Sequence, residues 1–220
     1  MTVNNSNIDQ VIKTLRQAVT TFSEPSVTLV GRRWSSPFHV LISCLLSLRT
    51  RDETTLPASL RLFRAAETPE ELLKLPLRRI EKLIYPVGFY RTKARTLHAV
   101  AGDLIKRFGG RVPDSIDELL TLKGVGRKTA NLVMTEGFHR PAICVDTHVH
   151  RISNRFGYVR TRTPNETEGA LRKKLPKEYW IDYNALLVTW GQNVCKPISP
   201  LCSGCVVNKV CRRAGVTLSR

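Results

Sequence analysis

No apolar run in this chain of 220 residues approaches the roughly 18 that a membrane-spanning helix requires, so a soluble protein without a membrane partner is expected. The N-terminal stretch MTVNNSNIDQ carries no charge before Asp9, which excludes a secretory signal and an Arg-rich transit peptide and points to the cytoplasm. Acidic residues are few. Asp and Glu number 18 against 35 Lys and Arg, a net charge of +17 at pH 7, and none follows Asp182. An excess of that size in so short a chain points to a polyanionic partner, with nucleic acid first. Hydrophobic residues, at 42%, suffice for a packed core and exclude general disorder. In a protein that is not exported, six cysteines do not suggest a disulfide framework. Cys44 and Cys144 are isolated within apolar stretches, whereas Cys195, Cys202, Cys205 and Cys211 crowd near the end of the chain, which favours metal.

Alternating strands, repeats and low-complexity segments are also lacking; only Ser26–Val30 reads as a short extended piece. The periodic segments are helical, so the fold class is all-α. Ile8, Val11, Ile12, Leu15, Val19 and Phe22 recur at helical spacing. Ser36-Pro37, Thr68-Pro69 and Thr163-Pro164 each pair a hydroxyl N-cap with a proline whose φ suits the first turn. Phe38, Leu41, Ile42, Leu45 and Leu46 predict a mostly apolar helix central to the core. Further helical patterns cover 52–65, 68–74, 78–84, 91–108, 115–121, 126–136, 146–156, 164–174 and 180–194, and Gly109-Gly110 closes the long one.

Two motifs carry chemistry. Leu122-Lys123-Gly124-Val125-Gly126-Arg127-Lys128-Thr129-Ala130 joins two short helical patterns. Its glycines let the backbone turn sharply and approach another surface, and the amides and dipole of the following helix favour a phosphate. A plain tight turn would look the same, but Lys123, Arg127 and Lys128 around it favour a phosphate site, and the segment resembles the helix-hairpin-helix element of DNA-binding proteins, which grips a phosphate without reading sequence. The second motif is Cys195-x6-Cys202-x2-Cys205-x5-Cys211. Four thiolates suit a [4Fe–4S] cluster or a structural zinc, and the presence of only one close Cys pair leans toward iron–sulfur.

The cysteine spacing resembles the iron–sulfur signature of the endonuclease III family of helix-hairpin-helix DNA glycosylases. Leu122–Val133 is similar to that family's hairpin, usually LPGVGRKTANVV, and Val145-Asp146-Thr147-His148-Val149 to its VDTHI motif. The resemblance runs from about the first helix to Cys211. It implies two helical lobes: a six-helix lobe with the hairpin over 30–140, and a second lobe of 1–29 with 141–220 carrying a [4Fe–4S] cluster on Cys195, Cys202, Cys205 and Cys211. Double-stranded DNA with damaged bases or abasic sites would lie across the cleft between them, met by a monomer associated with the nucleoid. Lys128 is then the amine that attacks C1′ and forms a Schiff base, and Asp146 the carboxylate that supports it. Taken alone, Lys128 reads as a surface charge and Asp146 as an N-cap. His148 and His150, two apart, do not share a helix face, which weakens a metal reading for the pair.

Gly88-Phe89-Tyr90-Arg91-x-Lys93-Ala94 resembles the family's loop with an apolar wedge, which nominates Phe89 to enter the DNA; a core residue beneath a turn is the alternative. Leu45–Asp52 aligns with a segment usually reading LLSAQATD, so Arg49 replaces the glutamine that fills the gap left by a flipped base. Its charge and fork differ from an amide, which leaves the opposite-base preference and lesion spectrum open. Lys123 replaces a usual proline. The implied activity is a bifunctional DNA glycosylase and AP lyase acting on oxidised pyrimidines. The alternatives are an adenine- or thymine-mismatch glycosylase and a non-catalytic iron–sulfur DNA-binding module. Lys128 and Asp146 argue against the module. The adenine-specific reading loses ground because the chain runs only nine residues past Cys211, without a further domain.

Overall fold

The computed structural model describes residues 2–220. Among them twelve α-helices follow one another without a strand: α1 (Ile8–Ala18), α2 (Ser26–Trp34), α3 (Pro37–Ser47), α4 (Asp52–Phe63), α5 (Pro69–Lys74), α6 (Leu77–Ile84), α7 (Tyr90–Phe108), α8 (Ile116–Leu120), α9 (Arg127–Leu132), α10 (Thr147–Arg155), α11 (Pro164–Lys174) and α12 (Tyr183–Asn193). None is long and apolar enough to cross a membrane. The chain divides into two compact units, one of Pro25–Ala142 and one joining the residues up to Glu24 to Ile143–Arg220.

In the first unit α3 is the axis. Every side chain from Phe38 to Leu46 is buried, as its near-continuous apolar sequence predicts. Each fully buried Leu, Ile or Val contributes about 1.5–3 kcal/mol by leaving water. α2, α4, α7 and α9 pack around it, and the buried Ser43 and Ser59 hydroxyls meet at 3.0 Å between α3 and α4. Ser26–Val30 is not extended but opens helix α2. Its β-branched run suggests a strand, yet Val27 and Val30 line one face and pack on α3, so tertiary burial overrides local preference. Ser26 Oγ donates to Asp52 Oδ1 at 2.5 Å, which ties α2 to α4 within this unit.

Thr68 and Thr163 accept from the Glu71 and Glu166 amides as N-caps should, but the Ser36 hydroxyl caps nothing. Gly109 and Gly110 both lie at positive φ after α7, and the Gly110 amide reaches back to the Leu104 carbonyl. α9 runs on into a π-helical turn, Val133–Gly137.

The second unit is built from both ends of the chain. Ile8, Val11, Ile12 and Leu15 of α1 join Val149 and Ile152 of α10, Leu171 of α11 and Leu187 and Trp190 of α12 in one core. The Val3 amide donates to the Phe156 carbonyl, and Tyr158 Oη donates to Asn5 Oδ1 at 2.8 Å. The first helix stops at Ala18 and continues as a 3₁₀ turn, leaving Phe22 in extended backbone against this core.

Candidate active site

The turn between α8 and α9 is closed by the Val125 amide on the Leu122 carbonyl at 3.1 Å. Leu122 and Val125 point inward, only 2% and 7% exposed, so Val125 can serve a ligand through its backbone but not through its side chain. Gly124 sits at φ +79°, where a side chain is strained, and a Cβ there would stand 3.1 Å from Thr96 Cγ2. Lys123, Gly126, Arg127 and Lys128 are exposed. Gly126 is the N-cap of α9 and brings no side chain to its amides, and a Cβ added to it would meet nothing within 4 Å. The backbone at this helix start is therefore open to a close approach, with three cations beside it.

Lys128 lies on the first turn of α9. Its charge reaches the buried Cys44 of α3, where it favours the thiolate while Glu136 opposes it. Burial outweighs both and pushes the Cys44 thiol up to about 12, so Cys44 is no nucleophile.

Arg49 and Phe89 stand side by side on two turns of the same unit. The Arg49 guanidinium lies 5.1 Å from the centre of the Phe89 ring. Phe89 is 62% exposed, so it is not core beneath a turn. Both residues hold left-handed backbone, at φ 55° and 57°.

Asp146 belongs to the other unit and is the N-cap of α10. Its Oδ1 accepts from the His148 and Val149 amides, each at 2.8 Å. Both bonds exploit the free donors of the first turn and hold the carboxylate rigid. Its charge also acts on Arg151. His148 and His150 face different partners, Arg151 and Thr167, as their spacing predicts.

Cys195, Cys202, Cys205 and Cys211 line one pocket with Arg155. Burial pushes the Cys205 thiol up to about 11, with the other three sulfurs acting in the same direction, so the four stand within electrostatic reach of one another. Among the described residues no three His, Cys, Asp or Glu side chains are arranged to hold a single metal ion. Arg155, only 7% exposed, donates to Cys195 Sγ at 3.4 Å and to the Lys196 and Pro197 carbonyls at 2.6 and 2.7 Å. Arg151 donates to the Cys195 carbonyl at 2.8 Å. The sequence gives neither arginine a role; its one sign is that the two lie four apart, which places them on one face of α10. Lys93, part of the Gly88–Ala94 motif, is given no role of its own by the sequence. It heads the buried stripe of Leu97, Val100 and Leu104 on α7.

Residues 42–177 match the family model of the HhH-GPD superfamily of base excision DNA repair proteins. Endonuclease III of Thermotoga maritima is 52% identical over 184 residues, spanning 82% of this chain and 86% of that one. The chain belongs to the endonuclease III family. A solved non-covalent endonuclease III–DNA complex superposes with a TM-score of 0.82 at 33% identity over 96% of both chains. A trapped endonuclease III–DNA covalent intermediate gives 0.76 at 40% identity over 81% of this chain and 84% of that one. As an endonuclease III family member the protein is a DNA-binding base excision repair enzyme, a DNA glycosylase with AP lyase activity.

Proposed function

We propose that this enzyme removes oxidised pyrimidines from double-stranded DNA and cuts the strand at the abasic site, with Lys128 as nucleophile and Asp146 as supporting carboxylate. The observation that carries this reading is an exposed lysine on the first turn of α9, directly after a turn open to DNA phosphate. A glycosylase that uses water has no need of an amine there.

The neutral Nζ of Lys128 attacks C1′, and the glycosidic bond breaks with its electron pair leaving on the base, which takes a proton. The sugar ring then opens and the nitrogen forms an iminium with C1′. That cation acidifies the C2′ proton; its removal expels the 3′ phosphate by β-elimination, and water releases the enzyme. The Asp146 carboxylate, fixed by two amides, supplies the negative charge that stabilises the sugar as the base departs. Arg49 and Phe89 fill the space left by the flipped nucleotide.

The cysteine pocket fits a [4Fe–4S] cluster better than zinc. A zinc ion needs its four sulfurs about 2.3 Å from one point, whereas a four-iron cluster takes one thiolate at each of four separate irons. The four sulfurs share one pocket, and the single close pair, Cys202-x2-Cys205, is the feature that favours the cluster. Cys195, Cys202, Cys205 and Cys211 would hold the cluster, whose contribution is to cross-link the C-terminal segment, and Arg155 would steady Cys195. The enzyme works as a monomer in the cytoplasm, on the nucleoid.

The test is a duplex carrying one thymine glycol, with both strands and the free base followed. Base release with a cut ending in a 3′ unsaturated aldehyde is expected. Base release from an intact strand makes the protein a monofunctional glycosylase, and binding without release makes it a non-catalytic module.

A further inference from the structure

Lys93 is charged and yet only 8% exposed. Its ammonium donates to the Leu46 carbonyl at 2.6 Å, the Leu48 carbonyl at 2.6 Å and Thr50 Oγ1 at 2.9 Å. Three donors thus meet three acceptors, which is the full capacity of the group. Two of the acceptors are carbonyls at the end of α3, where a cation offsets the helix dipole. Burial lowers the pKa of Lys93 to about 8, so it remains protonated at neutral pH and keeps all three bonds.

Those bonds converge on the turn that presents Arg49. The Thr50 hydroxyl that receives Lys93 also accepts from the Gly88 amide at 3.2 Å, one residue before Phe89. Gly88 lies so close to this turn that a Cβ on it would stand 3.0 Å from the Arg49 carbonyl. The Phe89 carbonyl accepts from the Lys93 amide at 3.0 Å, closing the first turn of α7. Both presenting residues hold left-handed backbone, which costs a side-chain-bearing residue free energy and persists only where its surroundings impose it. Lys93 and Thr50 are the surroundings that both turns share.

We propose that Lys93 is a positioning residue that locks the Arg49 turn to the Gly88–Phe89 turn, so that the two side chains meet duplex DNA as one preformed gap-filling unit. The proposal rests on the assignment of Arg49 and Phe89 to the gap, and Lys93 acts through them without touching DNA or the reacting sugar. A preformed pair enters the helix without the entropy cost of ordering two loops during base flipping. A single-stranded abasic site has no stacked gap to fill, so the effect of Lys93 is confined to duplex.

The experiment compares single-turnover cleavage of one abasic sequence as duplex and as single strand. Wild-type protein that cleaves neither would refute the lyase assignment itself, which separates that failure from failure of this proposal. In Lys93→Met, which keeps the apolar stem as far as Cε and removes the ammonium, duplex cleavage should fall about tenfold or more while single-strand cleavage stays within about twofold. In an Arg49→Ala/Phe89→Ala background the same substitution should cost the duplex no further activity. An equal loss on both substrates, no loss on either, or an undiminished duplex loss in the double-alanine background overturns the proposal. If Lys93→Met does not melt cooperatively, Thr50→Val, which removes the shared hydroxyl, takes its place with the same expectation. Unchanged duplex preference in Thr50→Val then overturns it.

Discussion

Asp146 carries two roles that two substitutions separate. Its Oδ1 receives the amides of His148 and Val149, the second and third residues of α10. Asp146→Ala removes both bonds, and losing an N-cap costs about 1–2 kcal/mol. At about 2–4 °C per kcal/mol for a protein of this size, the midpoint of thermal unfolding should drop by roughly 2–8 °C. Asp146→Asn keeps an oxygen at Oδ1 and so keeps the cap, losing only the favourable charge at the helix start, about 0.3–1 kcal/mol. Chemistry should order the variants differently. Without the carboxylate the developing charge on the sugar loses its partner, and excision from a thymine-glycol duplex should fall by ~10²-fold or more in both. Single-turnover excision with enzyme in excess, beside thermal melts and binding to an uncleavable substrate analogue, isolates the chemical step. Asp146→Asn that melts and excises like wild type would reduce Asp146 to a cap and refute the catalytic reasoning.

Lys123→Ala and Arg127→Ala should each reduce the slope of log affinity against log salt by about one unit, if each neutralises one phosphate at the hairpin; titrations at several salt concentrations read this directly, and unchanged slopes would move the DNA elsewhere. Purified protein should be yellow-brown and contain iron, and Cys202→Ser should lose colour and iron and melt at lower temperature; colourless protein with stoichiometric zinc contradicts the cluster. His39 is 6% exposed, its ring nitrogens have no hydrogen-bond partner among the described residues, and burial lowers its pKa from 6.5 to about 4. The unfolded chain therefore takes up this proton at higher pH than the folded one. The contribution is complete above pH 6.5 and is lost as pH falls toward 4, by up to about 3 kcal/mol, so urea melts of His39→Phe should show a flatter acid limb.

Features set by short stretches of chain were legible in the sequence. Thr68 and Thr163 cap their helices because an N-cap is satisfied within three residues, and the Gly124-Val125-Gly126 turn closes on Leu122 just behind it. The four cysteines that share a pocket also lie close in sequence. Legibility stops where partners are distant. α2 is a helix because α3 and the Val133–Gly137 turn cover it, which outweighs a β-branched segment whose local preference is extended. Lys93 finds its acceptors more than 40 residues earlier, and Arg155 meets Cys195 across 40. A lysine in an apolar stripe announces that acceptors exist without saying which. The inward turn of Val125 and the exposure of Phe89 depend equally on what packs beneath each turn.

The central claim is that Lys128 becomes covalently attached to the sugar. Wild-type protein and Lys128→Gln, each shown to bind an abasic duplex, are treated with borohydride during the reaction, and the adduct is located by peptide mass spectrometry. The account predicts a wild-type adduct at Lys128 and none in Lys128→Gln, which should also leave the strand uncut. An adduct on another amine, or a Lys128→Gln variant that still traps, contradicts it.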